Sequence, residues 1–450
     1  MKKIFLVILS LAIFSACERK IDTFSVTKGS ADFTKYIAIG NSLFAGYADA
    51  ALYKTGQKYS IPNLIAGQLQ LAGSGAFVQP VVNSEFGVAF PGDTSHSKLN
   101  LGYTVSCDNV ISLGPVKAYG AKDPLAPVGY DVNNFAVPGA KSFHILAPHY
   151  GDPAGLATHT ANPYFFRFAK SAGSSVLGDA LAANATFFTM WLGDNDVLGY
   201  ATSGGVADSI TSPAFLGTCL GGILQGLTAN HAKGVISTIP DVTAIPFFNV
   251  VPYNGLYLSR QSLVDSINYA MNLFQLSALA NYHVGYNPFL IQDPASSYLF
   301  KVRQMQPGEM VLLTVPQDSM KCYGMGIIGR LTNVPYPIPK QFILTLDDIQ
   351  KIQTATTAYN QIIAGLATTF DLALVDMNAK LKELQSGVVW NGITLNTQFV
   401  TGGVFSLDGI HLNPRGCALA ANFFIDAINA KYGSTVPFVD VTKYPGVIFP

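Results

Sequence analysis

Four short segments hold the residue types that acyl chemistry at a serine needs. Gly40-Asn41-Ser42-Leu43 follows the apolar stretch Tyr36–Ile39. A glycine there lets the chain leave a strand sharply and would present the Ser42 hydroxyl at a sheet edge. Alone, a Gly-Asn-Ser turn is commonplace. Asp408-Gly409-Ile410-His411 stands just ahead of Asn413 and Pro414. A carboxylate three residues before a histidine can fix the imidazole tautomer. It can also stabilise the imidazolium formed when the ring takes a proton from serine. The alternative is a surface Asp-Gly turn with a solvated histidine.

Gly193-Asp194-Asn195-Asp196 offers the Asn195 amide, a neutral donor suited to a developing oxyanion. Asp194 and Asp196 read as turn residues. A calcium loop is ruled out, because Leu198 and Gly205 occupy positions where ligands belong. In the segment Asn133 to Ala140 (NNFAVPGA), Gly139 can turn an unobstructed backbone N–H toward an anion.

The elements that must position these groups alternate between strand and helix. Tyr36–Ile39 is a short strand, and a helix beginning near Ser60 and Pro62 runs to about Ala72. Thr186–Leu192 (TFFTMWL) has the β-branched and aromatic content of a buried strand. A helix over Pro213–Ala232 leads into a strand at Gly234–Ile239, which Pro240 ends. Thr345 and Asp348 suit a capping box. Behind it, Ile349, Ile352, Thr356, Tyr359, Ile363 and Leu366 recur at steps of three and four, giving one buried face. Strand Leu372–Val375 follows, and a last helix takes Asn413 as N-cap and Pro414 at its first position. This alternation predicts a mostly parallel sheet covered on both faces, with reactive groups beyond the carboxyl ends of its strands.

Composition narrows the classes. The 450 residues carry 27 Lys+Arg against 27 Asp+Glu, a formal net charge of zero, with 49% hydrophobic and only 12% charged residues. Disorder would need the opposite balance. Nucleic-acid binding would need a Lys/Arg excess that is absent. Mean hydropathy is +0.31, yet no uninterrupted apolar run reaches the ~18 residues of a spanning helix.

The N-terminus reads as an export signal over residues 1–17: Lys2 and Lys3, an apolar run from Ile4 to Phe14, then Ser15, Ala16 and Cys17. Small residues before Cys17 are similar to a bacterial lipobox. This gives the expectation of lipidation at Cys17, a polar tether over 18–32, and a lipid-anchored envelope location with no other membrane contact. Phe14 departs mildly from the usual Leu. Cys107, Cys219, Cys322 and Cys417 remain, and their spacing suits neither zinc nor a redox CxxC pair. Disulfides in any of three connectivities and plain buried thiols both stay open.

Taken together and in this order, the four segments resemble the conserved blocks of the SGNH, or GDSL-type, hydrolase superfamily. Ser42 matches the nucleophile, Gly139 the second-block glycine, Asn195 the third-block asparagine, and Asp408 with His411 the DxxH block. The resemblance implies a three-layer α/β/α sandwich of the SGNH/flavodoxin-like kind with a mostly parallel central sheet. It implies a Ser42–His411–Asp408 triad, and an oxyanion hole from the N–H groups of Ser42 and Gly139 with the Asn195 amide. It covers about Phe33 to Tyr432, and DGIHLNPRG and GDND are its most specific parts. Asn41 departs from the family's Asp. The intervals from Ser42 to Gly139 and from Asn195 to Asp408 exceed what compact members need. One domain over 33–450 is therefore expected, with insertions about 48–132 and 242–344 walling or capping the site.

The expected activity is hydrolysis of carboxylic esters, short-chain acyl or acetyl, of a small-molecule, lipid or glycan substrate. It needs no metal or organic cofactor and no nucleic acid. The competing class is a non-catalytic ligand- or glycan-binding envelope lipoprotein. An α/β-hydrolase elbow is excluded by Phe44, which stands where its second glycine belongs, and no GxxxxGK[ST] loop exists. His144, His149 and His159 fit no zinc spacing and read as surface or packing residues. Arg167 reads as structural, stacked on aromatics, rather than facing an anion. The segment Ile245–Tyr257 (IPFFNVVPYNGLY) is a candidate pocket lining.

Overall fold

The computed structural model describes residues 25–90, 97–298 and 300–450. Four strands form its central sheet: β1 (Tyr36–Gly40), β2 (Phe187–Trp191), β3 (Lys233–Ser237) and β4 (Ala373–Val375), adjacent in that order and all parallel. Every residue of β1 and β2 is buried. This is what unbroken apolar runs give when helices cover both faces of a parallel sheet. Phe187 and Phe188 point to opposite faces and are fully buried, which contributes roughly 1.5–3 kcal/mol each.

Helices α1 (Ile61–Leu71) and α4 (Pro414–Tyr432) pack together over one face, α2 (Pro213–Thr228) and α3 (Leu346–Thr369) over the other. The rings of Tyr432 and Phe424 on α4 lie 5.7 and 5.9 Å from those of Phe187 and Trp191. Close approach of α2 to α3 depends on Gly217, where a Cβ would meet Ile362 at 3.2 Å. The Thr345–Asp348 capping box is formed, and Ile352, Thr356, Tyr359 and Ile363 make the buried face. Asn413 caps α4 by accepting from Gly416 N–H at 2.9 Å. Helix α2 stops at Thr228, short of the expected Ala232, because His231 turns the chain at φ 61 into β3. Ser60 precedes α1 but makes no side-chain cap.

Outside β1 runs a further segment. Ala38 N–H donates to Asn133 O, Phe135 N–H to Ala38 O and Val137 N–H to Gly40 O, at 2.8–3.0 Å. The segment holding Gly139 thus lies parallel to the strand that ends at Ser42.

The stretch 48–132, expected as wall or cap, divides. Helix α1 belongs to the main core through Ile61, Leu64, Ile65 and Leu69, whereas the hairpin Leu99–Val105/Ile111–Lys117 stands largely exposed. Within 242–344, two small hydrophobic clusters form apart from the main core, around Met271 and Leu290 and around Ile291 and Ile338. Cys107 and Cys322 form a disulfide between that hairpin and the helix Gln317–Tyr323, while Cys219 and Cys417 are buried free thiols. The expected signal and Cys17 lie outside the described residues. Of the expected tether, residues 27–31 are docked rather than loose: Thr27 pairs with Thr435, and Ser30 N–H donates to Tyr432 O at 2.8 Å. Among the described residues no helix is long and apolar enough to cross a membrane.

Candidate active site

Ser42 opens a single helical turn, Ser42–Ala45, at the carboxyl end of β1. The sharp exit needs Gly40, because a Cβ there would sit 2.8 Å from Phe44 Cβ. Asn41 caps the turn. Its Oδ1 accepts from Leu43 N–H at 3.0 Å and its Nδ2 donates to Asp194 at 2.8 Å. An aspartate at 41 would set two carboxylates against each other; asparagine supplies a donor instead. Burial pushes the Asp194 carboxyl up to about 6, against hydrogen bonds from Asn41 and Trp191.

His411 reaches this turn from the loop before α4. Its Nε2 lies 2.8 Å from Ser42 Oγ, and its Nδ1 lies 2.9 Å from Asp408 Oδ2. Ser42, 369 residues from His411 in sequence, joins it and Asp408 in one relay. Asp408 Oδ1 accepts from Ser406 Oγ and from the N–H groups of Ile410 and His411, and Oδ2 accepts from Ala50 N–H. Burial alone would raise this carboxyl. The charge of His411 and the donors around it outweigh burial and hold it well below the usual carboxylate range. Such an acid stays ionised, so Nδ1 carries the proton toward it and Nε2 faces the serine hydroxyl as acceptor.

Gly139 ends the segment beside β1 with φ 79, a conformation that glycine adopts freely. Asn195 begins the helix Asn195–Thr202 after β2, and its Nδ2 donates to Ala140 O at 2.9 Å. That bond uses one of two amide hydrogens. Asp196 accepts from Ser142 N–H and Oγ–H, both at 2.8 Å, locking the Gly139 loop to the Asn195 turn. Asp194 and Asp196 are therefore structural ties.

Ser42, Gly139, Asn195 and His411 line one cleft of about 850 Å³. Its other walls include Tyr47, Phe90, Leu125, Leu156, His159 and Tyr164. No Lys, Arg, Asp or Glu is among the described lining residues. The segment Ile245–Tyr257 does not line it. Phe247 instead hydrogen-bonds to Gly409 O at 3.0 Å and buttresses the Asp408–His411 turn, and only Ile245 borders a small space behind Ser42. Of the three histidines, His159 joins the cleft wall. His144 stacks on Tyr150, with its ring pKa lowered by burial to about 4, and His149 pairs with Asp152. Arg167 is buried and donates to Pro80 O and Val81 O, a structural role played through carbonyls rather than through aromatic stacking.

Sequence reasoning missed Tyr47, whose ring centroid lies 4.8 Å from that of His411, and the turn Asp49-Ala50 beside Asp408. Neither carries a local signal, since Asp-Ala is not the Asn-Gly pair that marks a tight hairpin.

No family model matches the chain, and no curated protein matches it. Among solved structures it is similar to a putative GDSL-like lipase from Parabacteroides merdae. That match has 9% identity, covers 90% of this chain and 99% of that one, and has a TM-score of 0.35. A mutant acetyl-xylooligosaccharide esterase from Geobacillus matches at 9% identity over 89% and 96%, TM-score 0.36. A lipase/acylhydrolase from Enterococcus faecalis matches at 10% over 90% and 100%, TM-score 0.33. Likeness this loose decides nothing about this chain's chemistry.

Proposed function

We propose that this chain is an SGNH-type serine ester hydrolase. The observation that carries the reading is the continuous relay Ser42 Oγ–His411 Nε2 and His411 Nδ1–Asp408 at the wall of the cleft. His411 removes the Ser42 proton as Ser42 attacks an ester carbonyl. The N–H groups of Ser42 and Gly139 and the second Asn195 amide hydrogen hold the oxyanion. His411 then protonates the leaving alcohol. Water, deprotonated in turn by His411, releases the acid.

The cleft favours an uncharged ester, because its described walls hold no Lys, Arg, Asp or Glu. Acetyl and short acyl groups fit it, and at about 850 Å³ it also has room for a longer apolar acyl chain. The substrate class we propose is thus a neutral small-molecule, lipid or glycan ester, cleaved at the envelope by a protein anchored through Cys17.

Treating the full chain with a fluorophosphonate probe and mapping the adduct tests the reading without knowledge of the substrate. A single adduct on Ser42, lost in His411→Ala, is expected. A folded protein that stays unlabelled would overturn it.

A further inference from the structure

The hairpin behind the nucleophile has a backbone that its sequence disfavours. Strands Tyr47–Ala48 and Ala51–Leu52 pair across a two-residue turn in which Asp49 has φ 51 and Ala50 has φ 62. Both residues carry a Cβ in the left-handed region, where Asn-Gly is the usual pair. Such conformations persist only where surrounding contacts over-determine them, and they gather at functional sites.

The contacts are specific. Asp49 Oδ1 accepts from Leu407 N–H at 2.9 Å and Oδ2 accepts from Tyr53 O–H at 2.8 Å. Asp49 N–H donates to Ser406 Oγ at 3.0 Å, and Ser406 O–H passes on to Asp408 Oδ1 at 3.0 Å. Ala50 N–H donates to Asp408 Oδ2 at 3.0 Å. Tyr47 O–H donates to Ala50 O at 2.6 Å while its ring lies against His411. Two of the donors that hold Asp408 therefore depend on this turn, one directly and one through Ser406.

Resting on the hydrolase reading, we infer that Asp49 is a positioning residue. Its carboxylate clamps the left-handed turn to Leu407, so that Ala50 N–H and Ser406 O–H hold Asp408 in line with His411. Asp49 touches no substrate and acts only through Asp408. The titratable and charged groups that face it are Asp408, Tyr53 and Lys98, whose Nζ lies 4.1 Å from the Tyr53 ring centroid. Burial pushes the Asp49 carboxyl up, against the donors Leu407 and Tyr53, and the neighbouring Asp408 charge adds to the rise.

The test is the rate of fluorophosphonate labelling of Ser42 against pH, in Asp49→Asn and in the milder Tyr53→Phe, with thermal melts alongside. Asn at 49 keeps an acceptor for Leu407 but turns a donor toward Tyr53. The maximal labelling rate should fall roughly tenfold, less than the ~10²-fold a full ångström of misplacement costs. The acid-side midpoint should move upward, because an Asp408 with fewer donors holds the imidazolium more tightly. Tyr53→Phe should move both in the same direction by less. An unmoved midpoint, with rates that track only the folded fraction, would make the clamp merely structural and overturn the inference. If the wild type itself fails to label, the hydrolase reading falls, and the His411 Nδ1 proton resonance then reads the clamp. A resonance unchanged in Asp49→Asn would overturn it.

Discussion

At the carboxyl ends of β1 and β2, order comes from backbone. Three parallel stretches hydrogen-bond side by side; Ser42 and Gly139 come two positions after the last paired residue of their stretches, and Asn195 four after Trp191. In the segment 242–344 order comes from elsewhere. Two small clusters and antiparallel pairs of two or three residues are tied to an exposed hairpin by the Cys107–Cys322 bond. The first region fixes a hydroxyl and the donors beside it, whereas the second meets the site at Phe247, whose N–H donates to Gly409 O. If this contrast is right, removing a reactive group beside the sheet edge should cost activity far more than stability, and loosening the inserted region should do the reverse.

The sharpest challenge is Asp408→Asn, which should lower ester turnover by on the order of 10⁴, because His411 takes the wrong tautomer. In the native protein Asp408 is held below the usual carboxylate range. Its stabilising contribution is therefore complete above pH about 4 and is lost as pH falls below it. A pH–rate profile should then show no loss from Asp408 protonation above pH about 4. Asn195→Ala should cost about 10²–10³ in turnover with KM little changed. Single-turnover kinetics check this, and a loss confined to KM would remove Asn195 from the oxyanion site.

Asn41→Asp faces Asp194 with a second carboxylate. We expect a loss of about 1–3 kcal/mol in stability, and a drop of only a few-fold in turnover while the serine turn survives. The loss should grow as pH rises, since the pair sheds its shared proton, so melts across the acid-to-neutral range decide it. Smallest on activity is Cys107→Ser. Loosening the insertion by roughly 2–4 kcal/mol should expose 242–344 to limited proteolysis and leave turnover within about twofold. A large loss of turnover in this variant would break the contrast.

Part of this was legible in advance because local chemistry forced it. Asn413-Pro414 can only begin a helix, Thr345 with Asp348 can only cap one, and TFFTMWL has to be buried. Ser42, Gly139, Asn195, Asp408 and His411 were singled out differently, by the resemblance of their combined order to the SGNH blocks, since turns such as Gly-Asn-Ser are commonplace alone. The cleft wall was not. Ile245–Tyr257 and the walls actually used, Tyr47, Phe90 and Tyr164, are equally aromatic, and aromatic content does not say which face a residue joins.

The amino-acid sequence by itself determined which groups are present, which turns release them and which helices begin beside them, since these depend on neighbours within a few residues. Tertiary structure alone decided that Gly139 lies beside Ser42, that Cys107 meets Cys322, and that Ala50 N–H reaches Asp408. Those contacts join residues far apart in the chain, and only the packing of the sheet and its helices fixes their distance.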